Sequence, residues 1–151
     1  MNVKLQIVDA GDAEAQQLIA ELDLDLNRRY PGSPTNGIDV DEFRAAEGRF
    51  VLLRCGGETV GCGAFRPVQA DCVEIKRMFV REAYRGRGYS KLILQHLEQV
   101  AKDCGFSRFV LETGAGQPEA IGLYESAGYR RIPNYGQYAG NPKSVCFAKQ
   151  V

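Results

Sequence analysis

The chain has 151 residues, 44% of them hydrophobic and 25% charged, which suits one packed domain over residues 1–151 with no repeat, low-complexity tract or linker. Its 19 basic and 19 acidic side chains leave a formal net charge of zero. No general attraction for nucleic acid or for an anionic membrane follows, so neither is expected as a partner.

Cysteines stand at 55, 62, 72, 104 and 146 with no Cys-x-x-Cys pair, and His96 is the single histidine. No metal site is expected from that set. Free thiols, the lack of a basic start followed by an apolar run, and the lack of a long apolar stretch point to a cytoplasmic protein.

In chain order, residues 3–8 alternate Val3, Leu5 and Ile7 with Lys4 and Gln6, the pattern of a half-buried strand. Asp12 suits the N-cap of a helix in which Ala15, Leu18, Ile19, Leu22 and Leu26 fall on one face. That helix ends near Arg28-Arg29-Tyr30, before Pro31-Gly32. Residues 31–38 read as a turn-rich loop and 39–46 as a short helix carrying Phe43. Arg49–Cys55 and Thr59–Arg66 read as a hairpin about Gly56-Gly57, with Pro67 ending the pairing. Cys72–Val80 is the next antiparallel strand.

A glycine turn follows, Arg85-Gly86-Arg87-Gly88-Tyr89-Ser90. Two glycines one residue apart let backbone N–H groups face an anion, and a helix starts at once with its positive end at the same place. Six bases crowd residues 74–91 (Lys76, Arg77, Arg81, Arg85, Arg87, Lys91) against Glu74 and Glu82. Strand, glycine turn and helix together describe a site for a phosphorylated ligand. The helix, over 88–104, is expected to bury Leu92, Ile93, Leu97, Val100, Ala101 and Cys104 and to close at Gly105. Phe109–Thr113, reached by a helical crossover, should lie parallel to Cys72–Val80. A helix over about 117–127, a strand from Tyr129 to Ile132, a loop over 133–142 and a closing strand Ser144–Lys149 complete the chain. A single parallel pair in a mostly antiparallel sheet can splay at its ends and expose backbone groups to a ligand.

Two stretches carry a resemblance. Arg85-Gly86-Arg87-Gly88-Tyr89-Ser90 resembles the pyrophosphate loop of the GNAT superfamily, the acetyl-CoA-dependent N-acetyltransferases. Gln117-Pro118-Glu119-Ala120-Ile121-Gly122-Leu123-Tyr124, continuing to Gly128-Tyr129, resembles that superfamily's second motif, with Gln117 where an Asn is usual. The resemblance implies an α/β (α+β) fold: a mixed, mostly antiparallel central sheet with helices on both faces and a splayed parallel pair. It implies acetyl-CoA as cosubstrate and no metal. The implied activity is acetyl transfer to a primary amine of a small molecule by direct attack in a ternary complex. Glu74 takes the position of a general base and Tyr124 that of a general acid. Met78, Phe79 and Val80 would hold the pantetheine and thioester, and Arg85 to Ser90 the pyrophosphate, with Gln117 and Ala120 beside the chain of the cosubstrate. Arg28, Arg29, Tyr30, Lys76 and Arg77 would suit an acceptor carboxylate, whereas Glu14, Glu21, Asp23 and Asp25 would suit a cationic acceptor; the residues leave both open. An acyl-CoA sensor without turnover and acetylation of a protein amine are the alternatives, and an exposed sheet edge near the C-terminus would permit a homodimer.

Overall fold

The computed structural model describes residues 2–32 and 37–151, so part of the loop expected over 31–38 lies outside the described residues. Among these residues the strands β1 (Val3–Val8), β2 (Arg49–Cys55), β3 (Glu58–Gln69), β4 (Cys72–Val80), β5 (Arg108–Gly114), β6 (Arg130–Ile132) and β7 (Ser144–Gln150) form one sheet. The spatial order is β1-β2-β3-β4-β5-β7-β6. Pairing is antiparallel except between β4 and β5, which run parallel because a helix connects them.

Helices α1 (Ala13–Arg29) and α2 (Val40–Ala45) cover one face, and α3 (Tyr89–Asp103) and α4 (Pro118–Ser126) the other. The period-2 alternation of β2 divides its side chains between them. Phe50 and Leu52 pack with Leu18, Ile19 and Phe43; Val51 and Leu53 pack with Ile93, Leu97 and Tyr124. Asp12 caps α1 by accepting from the N–H groups of Glu14 and Ala15, and Asp39 caps α2 from Glu42. Gly105, at φ 93°, closes α3 in the left-handed conformation that a Cβ would strain.

Three expectations need correction. Pairing does not stop at Pro67, which lies opposite Val73 while β3 runs on to Gln69. Beyond Phe65 the strand has no β2 neighbour, so a residue without an N–H costs no ladder bond on that side. Leu92 and Cys104 are exposed, and Leu94 is buried in their place. The last strand does not close the sheet: β7 lies between β5 and β6, which leaves three-residue β6 as the edge.

Candidate active site

The site begins with a break in the ladder. β4 and β5 pair from Cys72–Arg108 through Ile75–Leu111 and no further. Just past that point Arg77 takes φ 57°, and the β3–β4 register shifts between Cys62 and Ala64. This is a β-bulge, which bends its strand. Two contacts hold it. The Arg77 guanidinium is 4% exposed and meets Asp23 Oδ1 of α1 at 2.6 Å, and the Cys62 thiol donates to the Arg77 carbonyl at 3.3 Å. Burial pushes the Cys62 thiol up to about 12, so it stays a neutral donor. The backbone of Lys76 to Val80 is thereby turned away from β5, and a V-shaped slot opens between Met78–Val80 and Glu112–Gly114.

That slot belongs to a cleft of about 700 Å³. One end is the glycine turn. Gly86 and Gly88 sit at φ 78° and 80° with open space where a Cβ would be, and Gly88 starts α3. The first N–H groups of α3 have no intrahelical acceptor and face this end together with its positive dipole. Val80, Arg85, Tyr89, Ser90 and Lys91 line the same end. Arg85 is oriented by its Nε, which donates to the Val80 carbonyl at 2.8 Å, and by the Phe79 ring 5.6 Å away. Arg87 lies outside the cleft wall, over the Tyr84 ring at 5.2 Å.

Tyr124 stands in the middle of the cleft wall. Its ring packs against Tyr129 and Phe147 at 5.7 and 6.1 Å, and its hydroxyl has no hydrogen-bond partner among the described residues. Burial, with the Glu112 charge added, raises the Tyr124 phenol well above its usual range, so it keeps its proton at neutral pH. Ala120 and Leu123 of the same helix flank it. Gln117 also lines the cleft, and its Oε1 accepts from the Gly114 N–H at 3.1 Å and from Thr113 Oγ1 at 3.3 Å.

The far end is built from α1, β4, β5 and the β6–β7 connection. Arg29 and Tyr30 reach it from α1. Arg29 pairs with Glu119 at 2.6 Å, and Tyr30 Oη accepts from the Gly116 N–H at 3.0 Å. A Cβ at Gly114 would collide with that Tyr30 hydroxyl, so this glycine is required by close approach. Arg28 is exposed and does not line the cleft; it borders a smaller neighbouring pocket with Phe79, Arg81 and Arg85.

Glu74 is buried at 5% exposure and does not line the cleft. Its Oε2 accepts from Tyr135 Oη at 2.7 Å, and Arg66 and Lys76 lie 4.0 and 3.9 Å from its Oε1. The carboxylate on the cleft wall is Glu112 of β5, which sequence reasoning passed over. It accepts from Ser144 Oγ at 2.8 Å. Burial raises the Glu112 carboxyl above its usual range, Ser144 opposes this, and the Glu74 charge adds to the rise. Tyr138, Asn141, Lys143 and Ser144 complete this end, and Tyr138 stacks edge-on with Tyr135 at 5.4 Å. Its phenol is pushed up to about 12 by burial and the Glu74 charge. No local signal in the sequence marks these residues, because only the insertion of β7 beside β5 brings them to Glu112.

The arrangement can hold a long ligand with phosphates at one end and amides along the slot. It presents the Tyr124 hydroxyl at mid-length and the Glu112 carboxyl beyond. Comparison with known proteins agrees. Residues 16–129 match the model of the Acetyltransferase (GNAT) family. An IAA acetyltransferase of Azospirillum brasilense is 34% identical over 89% of both chains. The N-acetyltransferase YsnE of Bacillus subtilis, itself uncharacterised, is 28% identical over 97% of this chain and 99% of its own. Among solved structures, one from Elizabethkingia anophelis with acetyl-CoA bound superposes with a TM-score of 0.74 at 18% identity, covering 99% of each chain.

Proposed function

Because the chain belongs to the acetyltransferase (GNAT) family, we propose that it moves an acetyl group from acetyl-CoA to a primary amine of a small molecule, by direct attack with both substrates bound. The observation that carries this is the meeting of three features in one cleft: the unpaired β4 segment past the Arg77 bulge, the left-handed glycines at the start of α3, and the Tyr124 hydroxyl. Acetyl-CoA fits that set, since it combines a pyrophosphate with a pantetheine that carries two amides. When bound, it supplies an activated acyl carbon joined to a good leaving group.

The N–H groups from Gly86 to Lys91, with Arg85, bind the pyrophosphate. The exposed edge of Met78–Val80 pairs with the pantetheine amides and directs an N–H at the thioester carbonyl oxygen, where negative charge develops. Glu112 accepts the proton lost by the amine as its nitrogen bonds to the acyl carbon. Its raised proton affinity suits that task better than an ordinary surface carboxylate would. Tyr124 delivers a proton to the departing sulfur. Glu74, held by Tyr135 behind the wall, acts on this step through its charge, which adds to the proton affinity of Glu112. The chain would work in the cytoplasm, where the cosubstrate is made and thiols stay reduced.

Initial rates with both substrates varied, read by release of free thiol, test the order of events. Direct attack predicts intersecting double-reciprocal lines. Parallel lines, with an acetylated enzyme trapped in the absence of amine, would contradict it. Cys62, Cys72 and Cys146 are buried with raised thiol pKa values, which argues against any of them forming such an adduct.

A further inference from the structure

The charges on the cleft wall do not cancel. Its acids are Asp25, Glu119 and Glu112; the first two share one arginine and the third is bonded to a neutral hydroxyl. Asp25 and Glu119 both meet Arg29, at 3.5 and 2.6 Å, and Glu112 takes the Ser144 hydroxyl. Its bases are more numerous. Arg77 is bound to Asp23, while Arg85 and Lys91 stand at the glycine turn where the phosphates belong. That leaves Lys76, whose charge acts on Glu112, and Lys143, next in sequence to Ser144, both on the cleft wall. Lys76 is 19% exposed, and its nearest acid, Glu74, is 3.9 Å away, beyond hydrogen-bond reach. Glu74 is already engaged by the Tyr135 hydroxyl and is shared with Arg66. Burial lowers the Lys76 ammonium pKa, and an anion bound beside it would oppose that shift.

We infer that the acceptor is an amine that also bears a carboxylate, an amino acid in chemical class, with its carboxylate held by Lys76 and Lys143 and its amine directed at Glu112. This rests on the acetyl-transfer reading and names the substrate class for the same site. Two ammonium groups at this end offer an acceptor carboxylate a charge-assisted contact, which fixes the amine at a set distance from its carboxylate. The acidic residues of α1 do not reverse this, because Glu14, Glu21 and Asp23 are already paired with Arg54, Arg81 and Arg77.

The test compares matched acceptors with the full chain: L-phenylalanine against 2-phenylethylamine, L-leucine against 3-methylbutylamine, and L-lysine against cadaverine. Thiol release gives kcat/KM for each, and thermal unfolding with and without acetyl-CoA is read in parallel. The inference predicts that the amino acid of at least one pair is preferred by tenfold or more. Lys76→Met should lower kcat/KM for it by about tenfold to a hundredfold, mainly through KM. Lys143→Gln, at an exposed site that cannot threaten folding, should shift the preference in the same direction. Neither change should move the acetyl-CoA-induced rise in unfolding temperature. Equal or better use of the decarboxylated amines, or a preference untouched by both substitutions, overturns the inference. So does turnover of neither class while acetyl-CoA still stabilises the fold, an outcome that leaves the acetyl-CoA reading standing. Absence of that stabilisation removes both.

Discussion

At Glu112 burial acts on function and stability together. Its folded pKa is raised, so the folded state holds the proton more tightly than the unfolded chain does. The stabilising contribution is therefore present in full below the unfolded carboxylate pKa, near 4.3, and is lost as pH rises through the folded value. Glu112→Gln removes the cost of burying the ionised group. Relative to the parent, the variant should unfold at a higher temperature at pH 8 than it does at pH 4. Its turnover should fall by roughly 10²–10⁴ with acetyl-CoA affinity intact. The parent's rate should rise with pH along an acid limb displaced upward from an ordinary carboxylate, and Glu112→Gln should abolish that limb. Loss of cosubstrate binding in Glu112→Gln would instead make Glu112 a structural residue. Tyr124 calls for a smaller number. A thiol resembling that of cysteine, with a pKa near 8.5, leaves readily on its own. Tyr124→Phe keeps the ring stacked on Tyr129 and Phe147, so a drop of about tenfold to a hundredfold in kcat with unchanged stability is expected. A fall in melting temperature with no change in kcat would reduce the hydroxyl to a packing accident.

The element that makes the slot is β4, and the bulge at Arg77 is what bends it. Asp23 on α1 supplies the counter-charge to a guanidinium that is nearly fully buried. Removing one partner of a buried pair leaves the other uncompensated. Asp23→Ala should cost about 3 kcal/mol in a urea titration, at the low end for such pairs because Asp23 is itself partly solvated. Acetyl-CoA affinity should weaken with it, since the unpaired edge of Met78–Val80 is no longer held away from β5. Full affinity in Asp23→Ala would show that the slot does not depend on this pair. None of this was readable from the strand's composition. Val73, Ile75 and Val80 announce a strand, but a positive φ at an arginine carries no sequence signal. The neighbouring glycine turn was legible because Gly86 and Gly88 are both local and conformationally specific. Pro67 misled for the opposite reason: its lack of an N–H matters only where a neighbour needs one, and β2 has ended by then.

At the scale of the whole molecule, chain order predicts most of the sheet and misplaces its last pair of strands. Periodicity finds β7, but only long-range pairing puts it between β5 and β6. That insertion lays Ser144 opposite Gly114 and sets its hydroxyl on Glu112, 32 residues away in sequence. It also brings Tyr138, Asn141 and Lys143 to the cleft. The cosubstrate end of the site was therefore visible in two local motifs, whereas the acceptor end exists only in the folded sheet. Among the described residues no helix is long and apolar enough to cross a membrane, and no cluster of side chains could hold a metal ion. The measurement that bears most directly on the central claim is thermal unfolding with acetyl-CoA, CoA and ATP, all at one concentration, about a hundred times the dissociation constant expected for acetyl-CoA. Binding of that strength stabilises by about 2.7 kcal/mol, or roughly 5–10 °C for a chain of this size. The cleft as described predicts that acetyl-CoA and CoA raise the unfolding temperature by that amount and ATP does not, since ATP has no pantetheine to fill the slot. Equal shifts with ATP, or none with any of the three, would contradict it.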